Sequence, residues 1–163
     1  SVYYRTDTHW NQAGALAAAN KLLAELKGIE SIYTKETAEF TVQNVAAGDL
    51  YNLLFPCKNG NEASLTTAFG FSYGYTTAAV TLMDVVISTE NQNEDGTLLC
   101  YRDSFGSALI PWLSERFRTS TYIRGNLPYD FSRIGKDKPD CVIFEIAERN
   151  LRFILESDFN GIG

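Results

Sequence analysis

The chain has 163 residues, one domain's length and enough to bury a core, and its 45% apolar against 21% charged residues are the balance of a globular protein. A formal net charge of −6, with no stretch that clusters lysine and arginine, argues against nucleic acid and an anionic membrane surface as partners. No apolar run approaches the length of a transmembrane helix, no signal peptide is present, and the abrupt opening Ser1-Val2-Tyr3-Tyr4 is that expected of a fragment or excised domain.

The first segment, YYRTDTHWNQAGA, sets Asp7 two residues before His9, the only histidine, with Trp10 beside it. A helix is expected over residues 11–28, because Leu16, Ala19, Leu22, Leu23 and Leu26 fall at three- and four-residue spacing and Gly28 supplies a stop. SIYT (31–34) and EFTVQN (39–44) read as short strands, and residues 46–54 as a short helix with Leu50, Leu53 and Leu54 turned inward. Residues 56–68 read as a loop turning at Asn59-Gly60. FGFSYGYTTAAVTLMDVVIST (69–89) is aromatic and strand-prone; its FGFSYGY run suits an edge strand and equally the lining of a sugar groove. ENQNEDG (90–96) is a turn.

The second half is more regular. TLLCYR (97–102), STYIRG (120–125) and CVIFEI (141–146) read as strands; residues 107–117 and 147–156 read as helices, and 126–140 as a loop with at most a turn of helix. That alternation is the pattern of an α/β protein with a parallel sheet covered by helices, in which ligands sit outside the carboxyl ends of the strands. Ser104, Arg124 and Glu145, each near a strand end, would then lie along one edge. Of three cysteines, Cys100 and Cys141 sit in apolar runs and read as buried thiols, whereas Cys57 follows Pro56 in a polar stretch. At most one disulfide can form, and without a Cys-x-x-Cys pair or a second histidine no metal site is expected.

Ser104, in CYRDSFGSALIPWL, stands between a buried strand and a helix whose first N–H groups can hold a developing oxyanion. A serine needs a base within reach; His9 is the one imidazole available, and Asp7 would fix its tautomer. Each residue also has a plainer use: Ser104 and Asp7 as helix caps, His9 as a packed surface side chain.

Together, YYRTDTHWNQAGA and YRDSFGSALIPWLSERF resemble the SGNH-hydrolase-like domain of the alginate O-acetylation proteins of the AlgX and AlgJ type and the related DHHW proteins of Gram-positive bacteria; KPDCVIFEIAERNL resembles that family's late strand and helix. The Asp-x-His-Trp motif comes first and the Asp-Ser-Phe motif later, the reverse of ordinary SGNH esterases. Thr8 stands where the DHHW branch has a second histidine, and no ordinary SGNH block with its oxyanion glycine and asparagine is found.

The resemblance implies a single domain over residues 1–163 with a three-layer SGNH/flavodoxin-like α/β fold, a mostly parallel sheet flanked by helices, and further chain before the Asp-x-His motif in the relatives. It implies Ser104 as nucleophile, His9 as base and Asp7 as its orienting partner, with the backbone at Phe105 and the side chain of Arg124 serving the oxyanion or substrate. It implies acetyl transfer to, or acetyl-ester cleavage on, an extracellular polysaccharide without a cofactor, an extracytoplasmic location, and an acetyl donor or membrane acyl-transfer partner. The rival reading is a non-catalytic carbohydrate-binding or assembly module on the same fold.

Overall fold

The computed structural model describes residues 1–29, 33–34, 37–78, 81, 84–125 and 129–157, which fall into two compact units, Ser1–Gly70 and Phe71–Gly163.

In the first unit, helix α1 (Gln12–Lys27) forms where the apolar spacing places it. The Asn11 side chain accepts hydrogen bonds from the amides of Ala13 and Gly14 (3.0 and 3.1 Å), satisfying two of the first-turn donors. At the other end Gly28 adopts φ 63°, a left-handed conformation open to glycine at little cost, and its amide closes the helix on the Ala24 carbonyl. The buried face carries Leu16, Ala19 and Leu23, with Leu22 and Leu26 at its margins.

Strands β1 (Phe40–Ala46) and β2 (Asn61–Thr67) pair antiparallel from Phe40↔Thr67 to Ala46↔Asn61, with helix α2 (Asp49–Leu54) between them. Strand β2 corrects the reading of 56–68 as a loop. Its two buried positions are Glu62 and Ser64, so no apolar alternation marks it. Helix α2 forms as expected, but Leu50, Leu53 and Leu54 are exposed rather than turned inward. Of the expected SIYT strand, Ser31 and Ile32 lie outside the described residues, and Tyr33 and Thr34 adopt no regular element.

The second unit is built on a five-stranded sheet. Strands β3 (Gly74–Tyr75), β4 (Val86–Glu90), β5 (Thr97–Arg102), β6 (Thr119–Arg124) and β7 (Cys141–Glu145) lie in the order β3-β4-β6-β5-β7. The β5–β6 and β5–β7 pairs are parallel; β3–β4 and β4–β6 are antiparallel, so the sheet is mixed. Five of the six residues of β5 are buried, as a central parallel strand requires. Leu99, Tyr101, Tyr129 and Phe131 form a core cluster, and Phe144 stacks on Tyr101 at 5.1 Å. Residues 79–80 and 82–83 of the strand-prone segment and 126–128 of the late loop lie outside the described residues.

The helix expected over 107–117 is shorter. A 3-10 turn (Phe105–Leu109) leads into α3 (Ile110–Ser114), with Pro111 in its first turn. Proline has no N–H to give to a carbonyl four residues earlier, so the α-helix starts where that donor is not needed. Helix α4 (Ser132–Asp137) is the short helix allowed within 126–140. The closing helix is likewise broken into a 3-10 turn (Glu148–Asn150) and α5 (Arg152–Leu155). No helix among the described residues is long and apolar enough to cross a membrane.

Candidate active site

Residues 3–10 form a tight loop closed by a Tyr3↔Trp10 bridge and by the Tyr4 amide on the His9 carbonyl. Strand β2 holds this loop through Glu62. Its carboxylate accepts from the amides of Arg5 and Thr6 and from the Thr6 hydroxyl. Burial works to raise the Glu62 pKa, but these three donors outweigh it and leave it below the ordinary glutamate value. Helix α2 holds the loop from the other side: the amides of Gly48 and Tyr51 bond the Thr6 hydroxyl and carbonyl, and Gly48 lies so close that a Cβ there would meet the Asp7 Cβ at 2.3 Å.

Asp7 is thereby fixed. Its Oδ1 lies 2.6 Å from His9 Nδ1 and accepts from the His9 amide at 2.8 Å; Oδ2 accepts from the Asp49 amide at 3.3 Å. The expected Asp7–His9 pair is therefore formed, with both side chains part-buried. Asp49, which no sequence argument singled out, joins them. The Thr8 hydroxyl and amide bond its carboxylate, and the hydroxyl above all holds its pKa below the ordinary value. Asp7, His9 and Asp49 each present a ligand atom within 4.8 Å of the others, so a cation could be held here; the geometry shown is that of hydrogen bonds among Asp7, His9, Thr8 and Asp49.

Ser104 belongs to the second unit, at the carboxyl edge of its sheet. Parallel register sets Arg102 opposite both Arg124 and Glu145, so the residues that follow β5, β6 and β7 emerge together. Ser104 follows β5 by two residues and opens the 3-10 turn, with helical φ and ψ and no side-chain capping bond. The cap comes instead from buried Asp103, whose Oδ1 accepts from the Phe105 amide at 2.8 Å. That amide, the expected oxyanion donor, is thus committed to a carboxylate. Asp103 Oδ2 reaches across to accept from the Ala147 amide (2.8 Å) and from Asn150 Nδ2 (3.0 Å), which ties the serine turn to the turn after β7.

Two further charged groups brace this turn. Arg102 is fully buried; its Nη1 donates to Ser107 Oγ (2.8 Å) and to the Asp103 carbonyl (3.2 Å). Burial, then the nearby charge of Arg124, lowers its pKa from the ordinary arginine value. Glu145 Oε2 accepts from the Asp103 amide at 3.2 Å and lies against Gly106, where a Cβ would stand 2.5 Å from it. Burial first, and the negative charge of Asp103 second, push Glu145 up to about 7.

Asp103, Arg102 and Asn150 were not recognised from the sequence as parts of the site. The clue available was position alone: Asp103 next to the serine, Arg102 and Glu145 at parallel strand ends. The FGFSYGY run is displaced from this edge. Tyr75 pairs with Thr89, and Thr89 with Ser120, level with Leu98, so six residues separate that level from Ser104, on the order of 20 Å along the strand direction. Phe71 packs on buried Trp112 (5.1 Å), and Gly74–Tyr75 is an edge strand, the plainer of the two uses the run suggested.

The family model described as the SGNH hydrolase-like domain of acetyltransferase AlgX matches residues 1–98, a stretch that includes Asp7 and His9 and ends before Ser104. No curated protein matches the chain. Among solved structures, a DHHW family protein from Eubacterium siraeum is similar with a TM-score of 0.66 at 16% identity, over 96% of this chain and 64% of that one. Bacillus cereus PatB1, solved with a sulfonyl adduct, gives 0.60 at 22% identity over 92% of this chain and 61% of its own. Pseudomonas aeruginosa AlgX gives 0.51 at 15% identity over 90% and 36%. At these identities the likeness is one of fold, and the chain spans less than two thirds of the length of each of these structures.

Proposed function

Because the chain belongs to the family of SGNH hydrolase-like acetyltransferase AlgX domains, we propose that it performs serine-dependent acyl transfer and that its two units are parts of one SGNH-like domain. The observation that carries this reading is the 2.6 Å contact of His9 Nδ1 with Asp7 Oδ1, in a loop that both β2 and α2 hold in place. A carboxylate on Nδ1 fixes the tautomer in which Nε2 takes a proton, and it stabilises the imidazolium that results.

In this mechanism His9 Nε2 accepts the Ser104 hydroxyl proton as Oγ attacks an ester carbonyl. The C–O bond to the leaving alcohol then breaks as His9 returns that proton to it. An acyl-Ser104 remains, and a sugar hydroxyl or water releases the acyl group by the same steps in reverse. Oxyanion donors come from backbone N–H groups at Ser104 and Phe105, the latter giving up or sharing its bond to Asp103. Arg124, beside Arg102 at the sheet edge, contacts the substrate. The substrate is an acetylated or acetyl-accepting extracellular polysaccharide, the setting extracytoplasmic, and the donor an acetyl ester or a membrane acyl-transfer partner. The family, together with the resemblance of the Asp-x-His-Trp and Asp-Ser-Phe motifs to the alginate O-acetylation proteins, supports this choice of substrate.

Intact-protein mass spectrometry after brief exposure to an activated acetyl ester or a sulfonyl fluoride tests the reading. A single adduct mapped to Ser104, absent from Ser104→Ala and slowed strongly in His9→Ala, is expected, because nucleophile and base act as a unit. A folded wild-type chain that takes no adduct overturns it in favour of a non-catalytic carbohydrate-binding module on the same fold.

A further inference from the structure

Glu145 stands one step behind the serine. It ends β7, the strand beside β5, and reaches under the turn that β5 feeds. Its carboxyl group meets that turn on both sides of Ser104: it accepts from the Asp103 amide at 3.2 Å, an amide that also bonds the Glu145 carbonyl, and it lies against Gly106. The fit is close. A Cβ on Gly106 would lie 2.5 Å from Glu145 Oε2 and 2.7 Å from Arg102 Cβ, so the turn rests directly on these two side chains. Beside Glu145 lies the Asp103 carboxylate, which caps Phe105 and clasps Ala147 and Asn150.

We propose that Glu145 is a positioning residue for Ser104: its carboxyl group, bonded to the amide before the serine and packed against the glycine two residues after it, sets the backbone geometry from which Ser104 reacts. This rests on the reading of Ser104 as the nucleophile.

A negative charge on Glu145 stands beneath the same turn as the Asp103 carboxylate, and like charges held close repel. The other groups that act on Glu145 or on its partner Asp103 are Cys100 and Arg102 on β5 and Tyr129 on the segment before α4. Of these only Arg102 carries charge near neutrality; its Nη1 bonds Ser107 and the Asp103 carbonyl, and its Nη2 the Asp84 carbonyl. The upward shift of Glu145 agrees with this arrangement.

The test is the rate of Ser104 modification by a sulfonyl fluoride, from pH 5.5 to 9, in wild type, Glu145→Gln and Glu145→Ala, each checked for an unchanged far-UV spectrum. Glu145→Gln keeps an acceptor for the Asp103 amide and the same bulk against Gly106, so below pH 7 its rate stays near that of wild type. As wild-type Glu145 ionises near pH 7, the ratio of the Glu145→Gln rate to the wild-type rate rises. Glu145→Ala loses this support and slows by roughly 10- to 100-fold throughout, the scale of a misplaced reacting group. Equal rates in all three proteins, or equal losses in both variants with a ratio flat in pH, overturn the positioning role and leave Ser104 as nucleophile. A wild type that is not modified at Ser104 overturns the reading of the nucleophile itself and this role with it.

Discussion

Each unit of the chain sets a glutamate against the loop that carries its candidate catalytic residue, and the two carboxyls are shifted in opposite directions. Glu62 in the first unit receives two amides and a hydroxyl from Arg5 and Thr6, and its pKa falls. Glu145 in the second receives the Asp103 amide but lies beside the Asp103 carboxylate, and its pKa rises to about 7. Burial raises both; what differs is the balance of donors against neighbouring negative charge. The loops differ in their support as well. The Asp7–His9 loop is fixed by polar contacts to a hairpin whose β1 is almost wholly exposed. The Ser104 turn stands on a buried sheet and on α3, whose Trp112 and Leu113 are fully enclosed.

The largest effect tests that difference in support. Trp112→Ala empties the core under α3 and should cost about 3–5 kcal/mol of unfolding free energy in urea titration; a loss below about 1 kcal/mol would show that the second unit does not depend on this packing. The next effect concerns pH. Glu145 binds its proton more tightly folded (about 7) than unfolded (4.5), so its contribution is complete below about pH 4.5 and is lost as pH rises towards 7. At about 1.4 kcal/mol per pH unit the whole decline is on the order of 3 kcal/mol. Glu145→Gln should remove it, so that thermal melts of wild type and variant diverge between pH 5 and 7, the variant gaining; parallel curves would mean that Glu145 ionises normally.

Much of this architecture was legible because burial leaves a pattern in apolar residues. Helix α1 shows its 3.6-residue stripe, and β5 is a run buried on both faces. Strand β2 was not legible, because its buried positions are Glu62 and Ser64 and serve a polar clamp rather than a core. The shortened α3 could have been read from Pro111. The broken closing helix could not, since its first turn is drawn to Asp103 by Ala147 and Asn150, a contact with a residue 44 or more positions earlier. The same holds for the site. Asp7 and His9 were visible because they stand two residues apart, and Glu145 because it ends an apolar strand, whereas Asp49 and Asp103 acquire their roles through turns that join distant segments.

Glu62 should show the opposite pH response from Glu145, with a smaller effect. Its folded pKa lies below the unfolded 4.5, so its contribution is present above that value and is lost as pH falls through the folded one. Glu62→Gln should cost about 1–2 kcal/mol at neutral pH, the scale of weakened hydrogen bonds to a charged acceptor, with the gap from wild type closing in acid. A variant equally destabilised at every pH would place the loss in packing rather than in the charge.

The smallest effect falls on α2. Its leucines looked like core, yet Leu53 is 79% exposed and α2 buries none of its residues, while its start at Gly48 and Asp49 holds Asp7. The helix therefore serves the site through its first-turn backbone, not through its apolar side chains. Glutamine and leucine have similar helix propensities, so Leu53→Gln should change stability by less than about 0.5 kcal/mol in a urea titration and leave Ser104 modification unaltered. A loss of more than about 1 kcal/mol would show that this leucine is covered in solution, and the polar account of how the first unit holds its Asp7–His9 loop would then need an apolar component.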